Sequence, residues 1–174
     1  MIEYGTGISL SADVPFLQAR IWRNNREVFR WCRQYTGISP QAHSDWFEKM
    51  QTDPTIKMFA IYLDHPGYQT EDVCLGVCGL TSIDRVNQKA EFSLYIAPNH
   101  QKKGYGKKAL YTLVKHGFED HNLHRIWGET YEGNPALKMF DSLGFKREGC
   151  LRQSYFREGR FIDSIIVAKI RGES

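Results

Sequence analysis

Tyr95-Ile96-Ala97-Pro98-Asn99-His100-Gln101-Lys102-Lys103-Gly104-Tyr105-Gly106-Lys107-Lys108-Ala109-Leu110 decides how the rest of this 174-residue chain is read. It reads as a buried strand, a loop with two glycines among four lysines, and the first turn of a helix. That first turn has backbone N–H groups without intrahelical partners and carries partial positive charge. Gly104 and Gly106 remove the Cβ atoms that would hold a ligand away from those donors. Lys102, Lys103, Lys107 and Lys108 add mobile positive charge, so the segment is suited to a polyanionic phosphate group.

Two familiar phosphate sites do not fit. A P-loop needs Gly-x-x-x-x-Gly-Lys followed by Ser or Thr to hold magnesium, and no such run is present. A dinucleotide fingerprint tolerates Ala109 at its third glycine, but a Gln-Lys-Lys lead-in is not its tight strand-to-helix turn.

The composition, 41% hydrophobic and 25% charged, is that of an ordinary soluble chain, and its length suits one domain, 1–174, with a substantial core. No run of 18 apolar residues is present, so no membrane span or membrane partner is expected. The N-terminal MIEYGTGISLSADV lacks a basic segment followed by an apolar core and does not read as a secretory signal. A formal charge of +3 is too small to argue for nucleic acid, and one phosphate ligand explains the lysines as well. Four cysteines do not make a disulfide framework in a chain this long, and a reducing cytoplasm fits them best. The even spacing of Cys74 and Cys78 in a strand places both on one sheet face, in a small apolar role rather than as metal ligands.

Periodicity gives the element order. Residues 13–35 read as two short helices broken near Asn24-Asn25, and Ser39-Pro40 as the cap and first residue of a third helix. Lys57 to Leu63, residues 72–82 and Ala90 to Ile96 read as strands, the first two joined by a turn at Asp64-His65-Pro66-Gly67. Gly106 to about Asp120 is a helix, Arg125 to Thr130 a strand, and Pro135 to Ser142 a short helix closed by Gly144. The tail reads as two strands joined at Glu158-Gly159. This is a mixed α/β (α+β) order.

Gln-x-x-Gly-x-Gly after a strand resembles the acetyl-CoA loop of the GNAT superfamily of N-acetyltransferases. The resemblance runs nearly end to end. It takes in Leu123-His124-Arg125 at a strand start, Asn134 ahead of a helix, Leu143-Gly144-Phe145, and Glu148-Gly149 followed by Gly159-Arg160-Phe161-Ile162-Asp163. It implies the GNAT fold: a mixed, mostly antiparallel sheet, flanked by helices, whose two central strands splay apart to admit acetyl-CoA. It implies acetyl-CoA as cosubstrate, no metal, and a monomer or homodimer.

By the same resemblance, the coenzyme pyrophosphate rests on Gln101, Lys102, Lys103, Gly104, Tyr105, Gly106 and Lys107. The pantetheine arm pairs along Tyr95 and Ile96, and the N–H of Ile96 polarises the acetyl carbonyl. Asn134 bonds the arm, or caps its helix, or does both. Acetyl transfer to an amine needs a base for the ammonium proton and a proton for the departing thiolate. Glu129, five residues before Asn134, is the leading base candidate and Glu91 the second; a structural carboxylate is the alternative for each. Counting back from Gly144-Phe145 puts Phe140 where many relatives carry a tyrosine acid, so Tyr131 or water has to supply that proton.

Trp22-Arg23-Asn24 and Ile38-Ser39-Pro40-x-x-His43-x-x-Trp46 resemble segments of enzymes that acetylate nucleotide-linked amino sugars, including those of the pseudaminic-acid pathway. Arg23, Asn24, His43 and Tyr155 are the acceptor candidates, with a core histidine as the other reading of His43. A small-molecule amine is placed ahead of a protein N-terminus of the ribosomal-protein type. Two further readings stay open: a catalytically inactive acyl-CoA-binding module, motivated by Phe140, and a basic nucleic-acid-binding domain, which lacks an accompanying aromatic stacking motif.

Overall fold

The computed structural model describes residues 1–64 and 73–173. In chain order these form β1 (Ile2–Glu3), β2 (Ile8–Ser11), α1 (Phe16–Arg23), α2 (Arg26–Phe29), α3 (Pro40–Thr52) and β3 (Lys57–Leu63). There follow β4 (Cys74–Asp84), β5 (Lys89–Ile96), a 3-10 turn (Pro98–His100) and α4 (Tyr105–Glu119). The last four elements are β6 (Arg125–Tyr131), α5 (Ala136–Ser142), β7 (Lys146–Arg157) and β8 (Arg160–Ile170) after the α4 crossover. The expected central elements are present. β1 and β2 are additional, and the turn expected at 64–67 lies largely outside the described residues.

The local reasons are chemical. Ser39 accepts a hydrogen bond from the Ala42 N–H and Pro40 opens α3. The Asn24 side chain acts like a peptide group, accepting from the Ile38 N–H at 2.7 Å and donating to the Ile38 carbonyl at 2.9 Å. It thereby ties the end of α1 to the approach to α3. α4 turns Ala109, Leu110, Leu113, Val114 and Phe118 inward at helical spacing. Leu110 and Leu113 are wholly buried, each worth about 2 kcal/mol of transfer free energy.

The strands form one sheet in the order β1-β2-β3-β4-β5-β6-β8-β7. Every neighbouring pair is antiparallel except β5 with β6. One face carries the larger core, with α4 and α5 residues on Ile61, Cys78, Leu80, Ala90 and Ile126. The other carries a smaller cluster of Val14, Ala19, Met58 and Val77, with Trp46, Phe47 and Tyr95 against it.

One expectation about the sheet is overturned. Cys78 pairs with Phe59 and Cys74 with Tyr62, with a register shift between Ile61 and Tyr62. Residues directly opposite share a face, and 59 and 62 are an odd number apart. Cys74 and Cys78 therefore lie on opposite faces, because a bulge in β4 adds a residue between them.

The parallel pairing of β5 and β6 is short: Lys89 with Arg125, Ala90 with Ile126 and Glu91 with Trp127. Beyond that point Phe92 to Ile96 and Gly128 to Tyr131 have no strand partner in each other. Phe92 leans across this seam, and a Cβ on Gly128 would stand 2.5 Å from its ring. The same ring packs edge-on to Phe140 at 5.2 Å and Phe145 at 5.3 Å. Gly128→Ala must push this aromatic group aside. It is expected to cost about 2 kcal/mol, read as a lower urea midpoint at unchanged slope.

Candidate active site

The wedge between β5 and β6 is the candidate site, and the parity of β5 defines its two sides. The Ala97 N–H donates to the Leu75 carbonyl on β4 at 2.8 Å. In an antiparallel ladder alternate residues face the partner strand. Tyr95 therefore directs its N–H at β4, whereas Leu94 and Ile96 direct theirs into the wedge. β6 has left pairing distance there, so these N–H groups form an exposed strand edge inside the sheet. This is where the sequence placed the acetyl carbonyl and the pantetheine arm. The Tyr95 side chain points away from the seam into the smaller core, its hydroxyl donating to the Ala19 carbonyl at 3.4 Å.

The glycine loop lies at the mouth of the same wedge. The Gln101 side-chain amide donates to the Ile96 carbonyl at 3.1 Å, fastening the loop to the end of β5. Lys102 and Gly104 have φ of 61° and 82°. The N–H groups of Lys107 and Lys108 both turn back to the Gly104 carbonyl at 3.2 and 3.3 Å. Those of Tyr105 and Gly106 have no intrahelical acceptor. Lys102, Lys103, Lys107 and Lys108 are all exposed around them.

The two glycines are there for different reasons. A Cβ at Gly104 would meet nothing within 4 Å, so its left-handed backbone is what requires glycine. A Cβ at Gly106 would face Met139, Ile96 and Leu94 at 3.5 to 4.0 Å, inside the wedge mouth. Gly104→Ala is expected to lower unfolding free energy by about 1 kcal/mol through strain, with Gly106→Ala near neutral. Chemical denaturation of the two variants checks this.

Asn134 works at the opposite lip. Its side-chain carbonyl accepts from the Ala136 N–H at 2.9 Å and its amide donates to the Thr130 hydroxyl at 2.6 Å. It thus fixes the start of α5 to the end of β6. Phe140 is 5% exposed and belongs to the Phe92–Phe145 aromatic group, filling the floor of the wedge.

On the other sheet face, odd-numbered residues bring together what the sequence left far apart. Glu91 of β5 and Glu129 of β6 have side chains only 10% and 8% exposed. Glu129 accepts from the Ser164 hydroxyl at 2.6 Å, and burial together with the nearby Glu129 charge pushes the Tyr155 hydroxyl pKa up. Arg33, absent from the sequence-derived candidates, lies between the carboxylates. Its guanidinium donates to Glu91 and, at 3.4 Å, to Glu129. Burial pushes the Glu91 carboxyl up, Arg33 pulls it down, and the neighbouring Glu129 pushes it up again; the balance is upward.

Tyr131 does not present a free hydroxyl. It donates to the Cys32 carbonyl at 2.9 Å and accepts from Arg157 at 2.9 Å, and burial raises its pKa. Its oxygen is a strut, so the expectation of Tyr131 as the acid for sulfur is corrected. Arg157 also donates to the Arg33 carbonyl at 2.6 Å and stands over the rings of Tyr35, Tyr131 and Tyr155. Glu158 at the hairpin tip accepts from Arg26 and Tyr35, both at 3.1 Å. The β7–β8 hairpin therefore clamps the segment after α2.

Two acceptor candidates are also corrected. His43 is 3% exposed, its Nε2 is 2.7 Å from the Phe16 carbonyl, and it packs between Phe16 and Trp46. It is a core histidine. Asn24 spends its amide on Ile38 as described. Arg23 stays available: its Nη1 is buried without a hydrogen-bond partner, and its charge reaches Tyr95 and Cys32. Tyr155 lies on the carboxylate side of the seam, its ring 5.0 Å from that of Tyr131.

A sheet with this seam and a glycine loop at its mouth is the arrangement that the resemblance to GNAT enzymes implies. The Acetyltransferase (GNAT) domain family matches residues 9–146, and the chain belongs to that family. An uncharacterized N-acetyltransferase, p20, of Bacillus licheniformis is 35% identical over 106 residues, 60% of this chain and 59% of that protein. Spermidine N(1)-acetyltransferase of Vibrio cholerae is 33% identical over 90 residues, 51% of this chain and 52% of that protein. The chain thus spans a little over half the length of these two relatives. Ribosomal-protein-serine acetyltransferase of Escherichia coli is 30% identical over 115 residues, 66% of this chain and 60% of that protein. In three dimensions, spermidine N-acetyltransferase from Vibrio cholerae in complex with CoA and spermine superposes with a TM-score of 0.86. It does so at 22% identity, over 97% of this chain and 98% of that one, and confirms the GNAT fold.

Proposed function

We propose that this chain is an acetyl-CoA-dependent N-acetyltransferase that acetylates a primary amine by direct attack in a ternary complex. The observation that carries this reading is the two-sided seam: unpaired N–H groups of β5 on one side, two buried carboxylates on the other. The residues fit the coenzyme. The unpartnered N–H groups of Tyr105 and Gly106 and the exposed lysines suit its phosphates, and the Leu94 and Ile96 edge suits an amide-bearing arm. When bound, acetyl-CoA supplies an activated acyl group.

The chain's own residues do the rest. The Ile96 N–H points at the place where charge develops on the acyl oxygen. Glu129 and Glu91 take the ammonium proton, directly or through water, so that the nitrogen lone pair is free to attack. With Phe140 in the core and Tyr131 tied to Cys32, water is the proton source for the thiolate. Asn134 fixes the α5 lip and has further hydrogen-bonding capacity for the arm.

For the acceptor, we favour a small amine whose molecule also carries negative charge, such as a nucleotide-linked amino sugar. The segment 20–35 holds Arg20, Arg23, Arg26, Arg30 and Arg33 against a single acid, Glu27. Such a wall repels a polycation such as spermine and attracts an anionic group. Arg23, with its unpartnered buried Nη1, is the residue we assign to that group. The 30% identity to the ribosomal-protein-serine enzyme supports a protein N-terminus as the second reading. The four cysteines are unpaired, which agrees with action in the cytoplasm.

Free-CoA release over nucleotide amino sugars, polyamines, aminoglycosides and N-terminal peptides tests the activity and ranks the acceptors. Thiol release with none of them would end the transferase reading. Glu129→Gln is expected to lower turnover at least about tenfold below neutral pH, where the ammonium is hardest to deprotonate. Acetyl-CoA affinity by calorimetry should be unchanged. Equal turnover across pH would remove Glu129 from the role.

A further inference from the structure

Arg33 occupies a place that an amine must reach. The seam between β5 and β6 has just opened where Glu91 and Glu129 face each other, and both carboxylates are nearly buried. Two such groups ionise together only with a cation between them. In the resting protein that cation is the Arg33 guanidinium, which is itself 45% exposed. An incoming ammonium brings the same charge and the same kind of N–H donor.

We propose that Arg33 is a displaceable plug, holding the site of the acceptor's ammonium group and giving it up as the amine arrives. This rests on the N-acetyltransferase reading above. The main chain of Arg33 is held by Arg157 through its carbonyl, while the side chain reaches solvent. A guanidinium that swings outward stays hydrated and charged, so its departure is inexpensive. Glu129 keeps a neutral donor when Arg33 leaves, the Ser164 hydroxyl at 2.6 Å. The pair therefore passes from one cation to another without both charges standing bare. The amine's proton then moves to the carboxylate pair.

The groups that face the pair are Arg33 after α2, Tyr131 on β6, Tyr155 on β7 and Ser164 on β8, with Cys32 and Arg157 behind them on the Tyr131 hydroxyl. Among the described residues, only Arg33 both bridges the carboxylates and is cationic. Removing it leaves one proton on the pair to higher pH and leaves the amine nothing to displace. For Arg33→Gln the acid limb of kcat/KM should move up by about one pH unit. KM for a cationic amine above that limb should fall about tenfold, so the profile crosses that of the parent rather than sinking below it. Arg33→Lys keeps the charge and should restore the limb.

Two measurements need no turnover. Carbon NMR of glutamate-labelled protein should show the later-titrating carboxylate of the pair about one pH unit higher in Arg33→Gln than in the parent or Arg33→Lys. Addition of n-propylammonium should release the Arg33 Nε–H signal to a solvent-exposed position. If these hold while no amine is acetylated, the transferase reading fails and the cation site stands. If an acceptor is turned over and Arg33 stays on Glu91 at saturation, the plug is overturned. It is equally overturned if Arg33→Gln lowers the whole profile in step with its urea midpoint without moving the limb.

Discussion

The site depends on β5 and β6 parting after the Glu91–Trp127 pair, and the contact that accompanies the parting is Phe92 on Gly128. A sheet that opens in its interior leaves main-chain donors without acceptors, an arrangement folded proteins avoid except where something else completes it. The aromatic group of Phe92, Phe140 and Phe145 fills the space below the opening, so the seam neither collapses nor lets the core flood. The glycine loop, tied to Ile96 by Gln101, and α5, tied to Thr130 by Asn134, close on its two lips. Backbone geometry thus supplies the donor side, and the side chains there are free to be apolar.

The carboxylate side of the seam is built instead from charge, and three remote parts of the chain meet to build it. The segment after α2 brings Arg33, the parted strands bring Glu91 and Glu129, and the hairpin brings Arg157, Tyr155 and Ser164. Arg157 sits among three tyrosines and holds the Arg33 carbonyl, so the hairpin sets where the α2 segment lies. Arginine suits this work because its planar fork makes several directed bonds at once.

Much of this was legible in the residues. β3 begins and ends where its apolar run does, and the Gly-x-Gly segment opens a helix with unpartnered N–H groups as its spacing implies. The N-terminal strands carry little signal, because Ile2–Glu3 and Ile8–Ser11 are only two and four residues long, too short for an alternating pattern to stand out. The faces of Cys74 and Cys78 were misread because a bulge is a pairing event with no mark in a single strand. His43 and Asn24 have the chemistry of ligands but are spent on the backbone of Phe16 and Ile38. Arg33 was missed because its partners are 58 and 96 residues away. The one available signal was a run of arginines three or four apart through α1, α2 and the segment after them, a pattern that surface helices share.

Alternation along β5 has a consequence for how such a chain diversifies. Phe92, Leu94 and Ile96 face the larger core with α4 and α5, whereas Glu91, Ser93 and Tyr95 face the other side of the sheet. One strand therefore carries two independently mutable programmes, interleaved residue by residue. Under the proposed function, drift on the odd set would retool the acceptor and leave the coenzyme side intact.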